Sequence, residues 1–317
     1  MTRSYSYVLF VAPAIFLMIV ILIIPVIVAA TLSFTDYSLG NKTFNWVSWE
    51  NYEALFTRSS YKKMFSASLT YVFIVVPFSV ILGLGAALLL SSLRFGSEAY
   101  KTIFFLPVMA TLLAMAIAWD FTLDPIVGVA NATLKSGCNI EWFYSLMSGS
   151  WRGLNPLESW YGSGCIDGMP NWLGDRKLAL GTISFIGIWQ AFGFNMVLYL
   201  AGLTGVPREL YHAAQMDGAD SSWERFKLVT WPMLGPTHVF VVTITSIRSF
   251  QVFDTVESLT QGGPSKSTYV MVYAMFEKGI KQNLVGAGTA ITIVFLAFVL
   301  ILTLIQVYFV NRRVHYT

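Results

Sequence analysis

The sequence PRELYHAAQMDGADSSWERFKLVTWP, residues 207–232, is a polar island between two long apolar segments. Its local chemistry predicts a helix, a turn and a second helix. Pro207 suits the first turn of a helix, where its missing N–H is not needed. Gly218 suits the end of that helix, where a left-handed residue is common. Ser221 and Glu224 have the S-x-x-E spacing of a capping box, which would start the second helix. Two short helices on a membrane face would form a docking surface.

The composition of the whole chain is that of a membrane protein. Hydrophobic residues make up 56% of the chain and charged residues 12%, with a mean hydropathy of +0.63. A soluble domain has roughly 25% charged residues. A helix that crosses the bilayer needs about 20 apolar residues, and only helices satisfy their own backbone there. We therefore predict an all-α membrane protein with about six spans, at residues 7–32, 64–93, 102–123, 178–203, 232–253 and 284–310. The first of these spans, at residues 7–32, is too long for the core of a signal peptide and lacks a clear cleavage site. We therefore expect it to be retained as a membrane span.

The polar island resembles the EAA loop of the membrane subunits of bacterial binding-protein-dependent ABC importers. By this resemblance residues 206–231 form a cytoplasmic loop that couples the chain to an ATPase subunit. His212 stands where the motif has its leading glutamate. Val229 also stands where the motif expects it. The loop residues expected to take part in coupling are Glu209, His212, Ala213, Ala214, Asp217, Gly218, Ala219, Phe226 and Pro232.

Other stretches resemble the carbohydrate branch of the same family, the maltose and glycerol-phosphate type. They are LTQGGP at 259–264, the loop ends DPIVG at 124–128 and PNWL at 170–173, and the charged tail at 310–317. The resemblance implies a single transmembrane domain over residues 1–317 with a MetI-like helical core. Residues 124–177 would form a periplasmic cap with an insertion near 137–169. That insertion either helps to seat a binding protein or is an inert loop.

The orientation of the chain follows from this resemblance more than from its charges. With both termini in the cytoplasm, eight Lys and Arg residues fall inside and eleven outside. The raw count opposes the positive-inside rule, but basic residues are denser in the shorter inside segments. The cytoplasmic docking motif decides in favour of cytoplasmic termini in a bacterial inner membrane.

Cys138 and Cys165 then lie outside, where a disulfide is plausible because the periplasm is oxidising; two free thiols are the alternative.

No constellation in the sequence supports catalysis, so we expect no catalytic residue and no metal site. GGPSKST at 262–268 lacks the spacing of a phosphate loop and follows no soluble strand. His212, His238 and His315 are scattered. We therefore expect no cofactor on this chain, and ATP and Mg²⁺ would bind a partner ATPase. An integral-membrane enzyme is disfavoured because the spans carry few ionisable residues, chiefly Asp120 and Arg248.

Aromatic and amide residues concentrate in the fourth and fifth spans. Aromatic faces suit the C–H surfaces of sugars, and amides and carboxylates suit their hydroxyls. By resemblance the maltose-type permease contacts its substrate in these two spans; ordinary packing with an interfacial aromatic belt is the alternative. The expected substrate-path residues are Trp189, Phe194, Asn195, Tyr199, Arg248, Ser249, Gln251, Phe253 and Asp254.

Arg248 allows two interpretations. A charge inside a span is costly unless it faces a cavity or a partner. A guanidinium facing the path could form two hydrogen bonds with a carboxylate or phosphate, which would indicate an acidic sugar, a uronate oligosaccharide or a sugar or glycerol phosphate. Alternatively, Arg248 forms a structural ion pair with Asp120 or Asp254.

We therefore predict the transmembrane subunit of an ATP-driven carbohydrate importer. Its expected partners are a second homologous permease subunit, two ATPase subunits, a periplasmic solute-binding protein and membrane lipid, with no nucleic acid. An ion-coupled secondary carrier or channel is the alternative, but it would require an inverted repeat or midplane carboxylates. Neither is evident in the sequence.

Overall fold

The computed structural model describes residues 6–93, 95–137 and 170–313. These residues form helices and loops, and their one β-type pairing is an isolated bridge between Thr35 and Trp46. Three π-helical turns, Ile19–Ile23, Phe226–Thr230 and Glu277–Lys281, continue from neighbouring helices. The α-helices are α1 Ser6–Met18, α2 Ile24–Leu32, α3 Glu50–Thr57, α4 Ser59–Ser92, α5 Ser97–Met109, α6 Leu112–Leu123, α7 Val129–Gly137, α8 Ala179–Thr204, α9 Arg208–Met216, α10 Ser222–Arg225, α11 Trp231–Met233, α12 Gly235–Phe250, α13 Asp254–Leu259, α14 Met271–Phe276 and α15 Val285–Arg313.

Five stretches in the described residues are long and apolar enough to cross a membrane. They are Phe10–Leu32, Ser59–Ser92, Ala179–Thr204, Gly235–Leu259 and Val285–Gln306, and each coincides with a predicted span. A sixth crossing is possible by length and composition if the bent pair Ser97–Met109 and Ala114–Leu123 counts as one. The all-helical membrane architecture predicted from composition is confirmed.

The third predicted span, residues 102–123, is not one continuous helix. Its two helical pieces meet at an angle of 97°. Ala110 and Thr111 between them have extended backbone, each with ψ 137°. Extended residues interrupt the i→i−4 hydrogen bonds of a helix, and Pro107 just before them has no N–H to donate. The apolar run is long enough to span, but hydropathy does not report the backbone dihedral angles that bend it.

The chain separates into two compact units, which are described individually. The first comprises Met1–Lys62 and Met271–Ile301. In it, the segment after α2 is fixed to α3 by the Asn51 side chain, which donates to the carbonyls of Ser33 and Thr35, both at 2.9 Å. Ser33 Oγ lies 2.7 Å from Tyr52 Oη, so the end of the first span is anchored by polar contacts.

The second unit, Lys63–Val270 with Leu302–Thr317, contains the core that positions the candidate site. Helices α4, α8 and α12, with Leu234 just before α12, bring seven buried side chains into one cluster. Gly83 allows α4 and α8 to approach closely, because a Cβ there would lie 2.7 Å from Cβ of Asn195. Gly83 and Ala87 have the small-xxx-small spacing that permits such an approach between helices. The cluster is Val80, Ala87, Leu90, Met196, Tyr199, Leu234 and Val241.

The two described ends of the residue 124–177 cap are joined by one buried side chain. The Asn131 amide donates to the carbonyls of Pro125 and Pro170, both at 3.1 Å, and its oxygen accepts from Trp172 Nε1 at 2.8 Å. Both ends of the insertion are thereby fixed to the same point. Cys138 and Cys165 lie outside the described residues, so the disulfide stays a prediction.

Candidate coupling surface and solute cavity

The polar island forms two helices, as its sequence predicts, with the first beginning one residue later than expected. Pro207 is the N-cap of α9 and has extended backbone, with ψ 134°, so its ring lies just before the first turn. At the other end, the N–H of Gly218 donates to the carbonyl of Gln215 at 3.1 Å, and the N–H of Ala219 donates to that of Ala214 at 2.9 Å. This pair of bonds is a Schellman motif, which satisfies the last carbonyls of the helix.

Gly218 has the positive φ that the sequence predicts, at +94°. A Cβ built there meets no atom within 4 Å, so the restriction on this residue comes from the backbone alone. The turn folds α9 back so that Val206, Ala214, Ala219 and Val229 form a small buried cluster. Thus the shape of the loop rests on a few small apolar contacts and one left-handed residue.

The second helix begins with a complete capping box. The N–H of Glu224 donates to Ser221 Oγ, and the N–H of Ser221 donates to the Glu224 carboxylate, both at 3.0 Å. This backbone donation, with a further bond from the Ser221 side chain, lowers the pKa of the Glu224 carboxyl group below its ordinary value. The capping box predicted from the S-x-x-E spacing is confirmed.

Some of the predicted coupling residues lie on the surface of this loop, and others are buried in it. Glu209, His212, Ala213, Asp217 and Pro232 are exposed, whereas Ala214 and Ala219 are buried. Apolar side chains are also exposed, with Met216 89%, Trp223 69% and Leu228 63% accessible. A groove of about 680 Å³ runs beside them between the end of α4 and α10. Its lining is Leu88, Leu89, Ser91, Ser92, Leu203, Tyr211, Ser222, Trp223, Arg225, Phe226 and Thr230.

A second cavity, of about 300 Å³, lies among α4, α8, α12 and the start of α13. Its volume is at the lower end of the range for small-molecule sites, and its polar lining converges from several helices. Seven of the predicted path residues line it: Phe194, Asn195, Arg248, Ser249, Gln251, Phe253 and Asp254. Nine other residues complete the lining: Tyr71, Val75, Val108, Gly187, Gln190, Ala191, Thr245, Val252 and Thr255.

Two predicted path residues lie elsewhere. Trp189 lines a separate apolar cavity with Trp119, and their ring centroids are 5.5 Å apart. Tyr199 is fully buried, and its hydroxyl lies 2.6 Å from Nδ1 of His238. Thr245 is a lining residue that the sequence analysis missed. It lies three residues before Arg248, so the helical repeat could have identified it.

Asn195 forms hydrogen bonds that join three helices at the cavity wall. It is completely buried, its amide donates to Ser79 Oγ at 3.3 Å, and its oxygen accepts from Thr245 Oγ1 at 2.8 Å. Two of its hydrogen-bonding groups are thus occupied by protein. We assign Asn195 a role in holding α4, α8 and α12 together at the cavity wall, because a buried amide in a membrane needs such partners.

Arg248 faces this cavity and stacks on an aromatic ring. Its guanidinium carbon lies 4.0 Å from the centroid of the Phe194 ring, which is a cation–π contact. Within the described residues the Arg248 side chain forms neither an ion pair nor a hydrogen bond. An ion pair in that part of the chain joins Lys101 and Glu98. The structure thus does not contain the pairing with Asp120 or Asp254 that was one of the two interpretations.

No group of three or more His, Cys, Asp or Glu side chains able to hold a metal occurs in the described part of the chain.

Residues 79–315 match the family described as binding-protein-dependent transport system inner membrane component. A probable ABC transporter permease protein of Pyrococcus horikoshii is 28% identical over 302 residues, covering 95% of this chain and 94% of that protein. The probable starch degradation products transport system permease protein AmyD of Thermoanaerobacterium thermosulfurigenes is 24% identical, covering 97% and 94%. The sn-glycerol-3-phosphate transport system permease protein UgpA of Brucella abortus is 27% identical, covering 96% and 94%.

Solved structures share the fold. A chain in the crystal structure of a bacterial ABC transporter involved in the import of the acidic polysaccharide alginate has a TM-score of 0.76, with 21% identity, covering 98% of this chain and 96% of that one. A chain of a bacterial alginate ABC transporter in complex with alginate pentasaccharide-bound periplasmic protein has a TM-score of 0.73, also at 21% identity, covering 98% and 94%. At this identity the similarity establishes the architecture of the chain.

Proposed function

Since the chain belongs to the family of binding-protein-dependent transport system inner membrane components, we propose that it is the transmembrane subunit of an ATP-driven carbohydrate importer. The cargo would be a sugar, an oligosaccharide or a related polyol phosphate. Two relatives similar over nearly their whole length support this class, because one is a permease for starch degradation products and the other for sn-glycerol 3-phosphate.

The observation that carries the proposal is the surface formed by α9 and α10. Its turn is fixed by the Schellman motif at Gly218 and by the capping box at Ser221. It nevertheless leaves the side chains of Trp223, Met216 and Leu228 exposed. Exposed apolar side chains on an ordered surface mark interaction sites. The partner that suits this surface is an ATPase subunit, which would bind ATP and Mg²⁺ while this chain binds neither.

The complete transporter would contain a second homologous permease subunit and two ATPase subunits in a bacterial inner membrane. A periplasmic solute-binding protein would deliver cargo to the outer loops, and both termini of this chain would be cytoplasmic. Closure of the ATPases would move α9 and α10, and the spans would rock between inward-facing and outward-facing states. The cavity around Arg248 and Asn195 would then form part of the cargo's path.

Reconstitution tests this proposal. The chain should co-purify with a soluble ATPase and a second permease, and proteoliposomes of the complex should take up cargo only with ATP and the cognate binding protein. Uptake that follows an ion gradient without ATP would support a secondary carrier instead. Purification as a stable transporter without any ATPase would also contradict the proposal.

A further inference from the structure

The cavity in the second unit contains one cation whose hydrogen-bonding groups are unused. Arg248 lies in the last turn of α12, where the helix dipole favours a positive charge. Stacking on Phe194 also favours the charge without occupying any N–H group. Within the described residues no acceptor receives a hydrogen bond from its side chain, so up to five donors stay available.

The remaining cavity lining suits a saccharide that carries an anionic group. Gln190 and Gln251 can donate to and accept from hydroxyl groups, and Asp254 can accept from them. Arg248 and Asp254 are the two charged residues in the lining, and they form no ion pair with each other. The guanidinium is therefore open to an external acceptor.

Building on the proposed function, we propose that Arg248 binds an anionic group on the cargo. The transported saccharide would therefore carry a carboxylate or a phosphate. Two N–H groups of the guanidinium would donate to two oxygens of that group, a geometry that planar arginine forms and lysine does not. Phe194 would keep the guanidinium in place while the cargo passes. Gln251 and Asp254 would contact hydroxyl groups of the adjoining sugar ring.

The first experiment determines the cargo class with the cognate periplasmic binding protein. Its binding is measured against a galacturonate trisaccharide, sn-glycerol 3-phosphate, a sugar phosphate and a neutral trisaccharide. We expect binding of an acidic compound, and the panel distinguishes a carboxylate from a phosphate. A binding protein that accepts neutral saccharides alone would overturn the inference.

The second experiment measures ATP-dependent uptake by the complete transporter in proteoliposomes. The acidic cargo is compared with its neutral methyl ester or dephosphorylated counterpart, in the wild type and in Arg248→Gln. Loss of a hydrogen-bonded charge pair should lower kcat/KM for the acidic cargo by about tenfold or more relative to the neutral one. Arg248→Lys should recover part of that loss, because it keeps the charge. Arg58→Gln, which removes an exposed charge outside the cavity, should leave the ratio unchanged.

Two outcomes would overturn the inference at this stage. Equal losses for acidic and neutral cargo in Arg248→Gln would make Arg248 a packing residue. An unchanged kcat/KM would remove it from the path. In each case ATP-dependent uptake by the wild type would leave the proposed function intact, whereas absence of any such uptake would contradict that function instead.

Discussion

The phenol oxygen of Tyr199 lies 2.6 Å from Nδ1 of His238, and this hydrogen bond joins α8 to α12 in the core of the second unit. A line of rings continues from it to the exposed surface of α10. The His238 ring is 5.0 Å from that of Trp231, which is 6.0 Å from Phe226, and Phe226 stacks on Trp223 at 5.4 Å. Tyr199 is one helical turn from Asn195 in the cavity wall. Packed side chains therefore connect the exposed surface of α10 with the cavity.

Removing the Tyr199 hydroxyl should weaken this connection. In Tyr199→Phe the ring still fills its place, but His238 loses its partner, so we expect a loss of about 0.6–2 kcal/mol in stability. We also expect less ATPase stimulation by the loaded binding protein. Thermal unfolding and ATPase assays of the complex in nanodiscs measure both effects. Tyr100→Phe, which removes a hydroxyl from a half-exposed ring, is the control. Equal results for the two variants would argue against a special role for the Tyr199–His238 bond.

Gly218→Val should leave the chain in the membrane but abolish transport. The substitution places a β-branched residue at φ +94°, which L-residues rarely adopt, so the turn between α9 and α10 must rearrange. ATPase retention on affinity purification and ATP-dependent uptake measure the effect. Gly40→Val is a matched control, since Gly40 has φ +99° and open space around it in the first unit. Normal uptake in the Gly218 variant would contradict the coupling role.

The capping box at Ser221 should weaken in acid. The bonds from Ser221 hold the pKa of the Glu224 carboxyl group below its ordinary value of 4.5, so its charged form is favoured by folding. The stabilisation is thus fully present above pH 4.5 and declines as pH falls through the lowered pKa. Hydrogen exchange of the Ser221 and Glu224 amides, corrected for intrinsic rates, should show protection that falls with pH below 4.5.

Glu224→Gln is the control for this titration. A glutamine at the third position of a capping box still accepts from the N-cap N–H, but it does not titrate. Its amide protection should therefore be lower than that of the wild type near neutral pH and nearly constant through the acid range. The same decline in both proteins would mean that another group titrates.

Asn131→Asp should loosen the two ends of the cap. The carboxylate cannot donate to the carbonyls of Pro125 and Pro170, and it would face both oxygens. We expect a loss of about 1–3 kcal/mol, because buried acceptors lose their donors. Hydrogen exchange and proteolysis of residues 124–137 and 170–178 measure the change. Asn171→Asp should be mild, since its side-chain oxygen only accepts from the Gly174 N–H. Comparable loosening in both variants would refute the anchoring role of Asn131.

Cys138 and Cys165 should be joined by a disulfide. A bridge that closes a loop of this length would stabilise the folded chain by about 3 kcal/mol in the chain-entropy account. Mass spectrometry of unreduced, alkylated protein tests the prediction. Alkylation of both thiols without reduction would show that no bridge exists.

The sequence determined the features that depend on neighbours within a few residues. Length and hydropathy specified the five long spans, and the S-x-x-E spacing and Gly218 specified the turn between α9 and α10. These features form because their hydrogen bonds and dihedral angles involve residues close along the chain. The aromatic and amide residues of the fourth and fifth spans, together with the resemblance to maltose-type permeases, also identified seven of the residues that line the cavity.

The tertiary structure decided which of those residues meet. Trp189 and Tyr199 lie in the same span as Phe194, yet they face another cavity and His238, because the rotation of a helix about its axis is set by the side chains packed against it. The partner of Arg248 is the Phe194 ring instead of a carboxylate, and the apolar run at 102–123 bends by 97°. Neither result follows from composition or periodicity, since both depend on residues distant along the chain or on backbone angles that hydropathy does not encode.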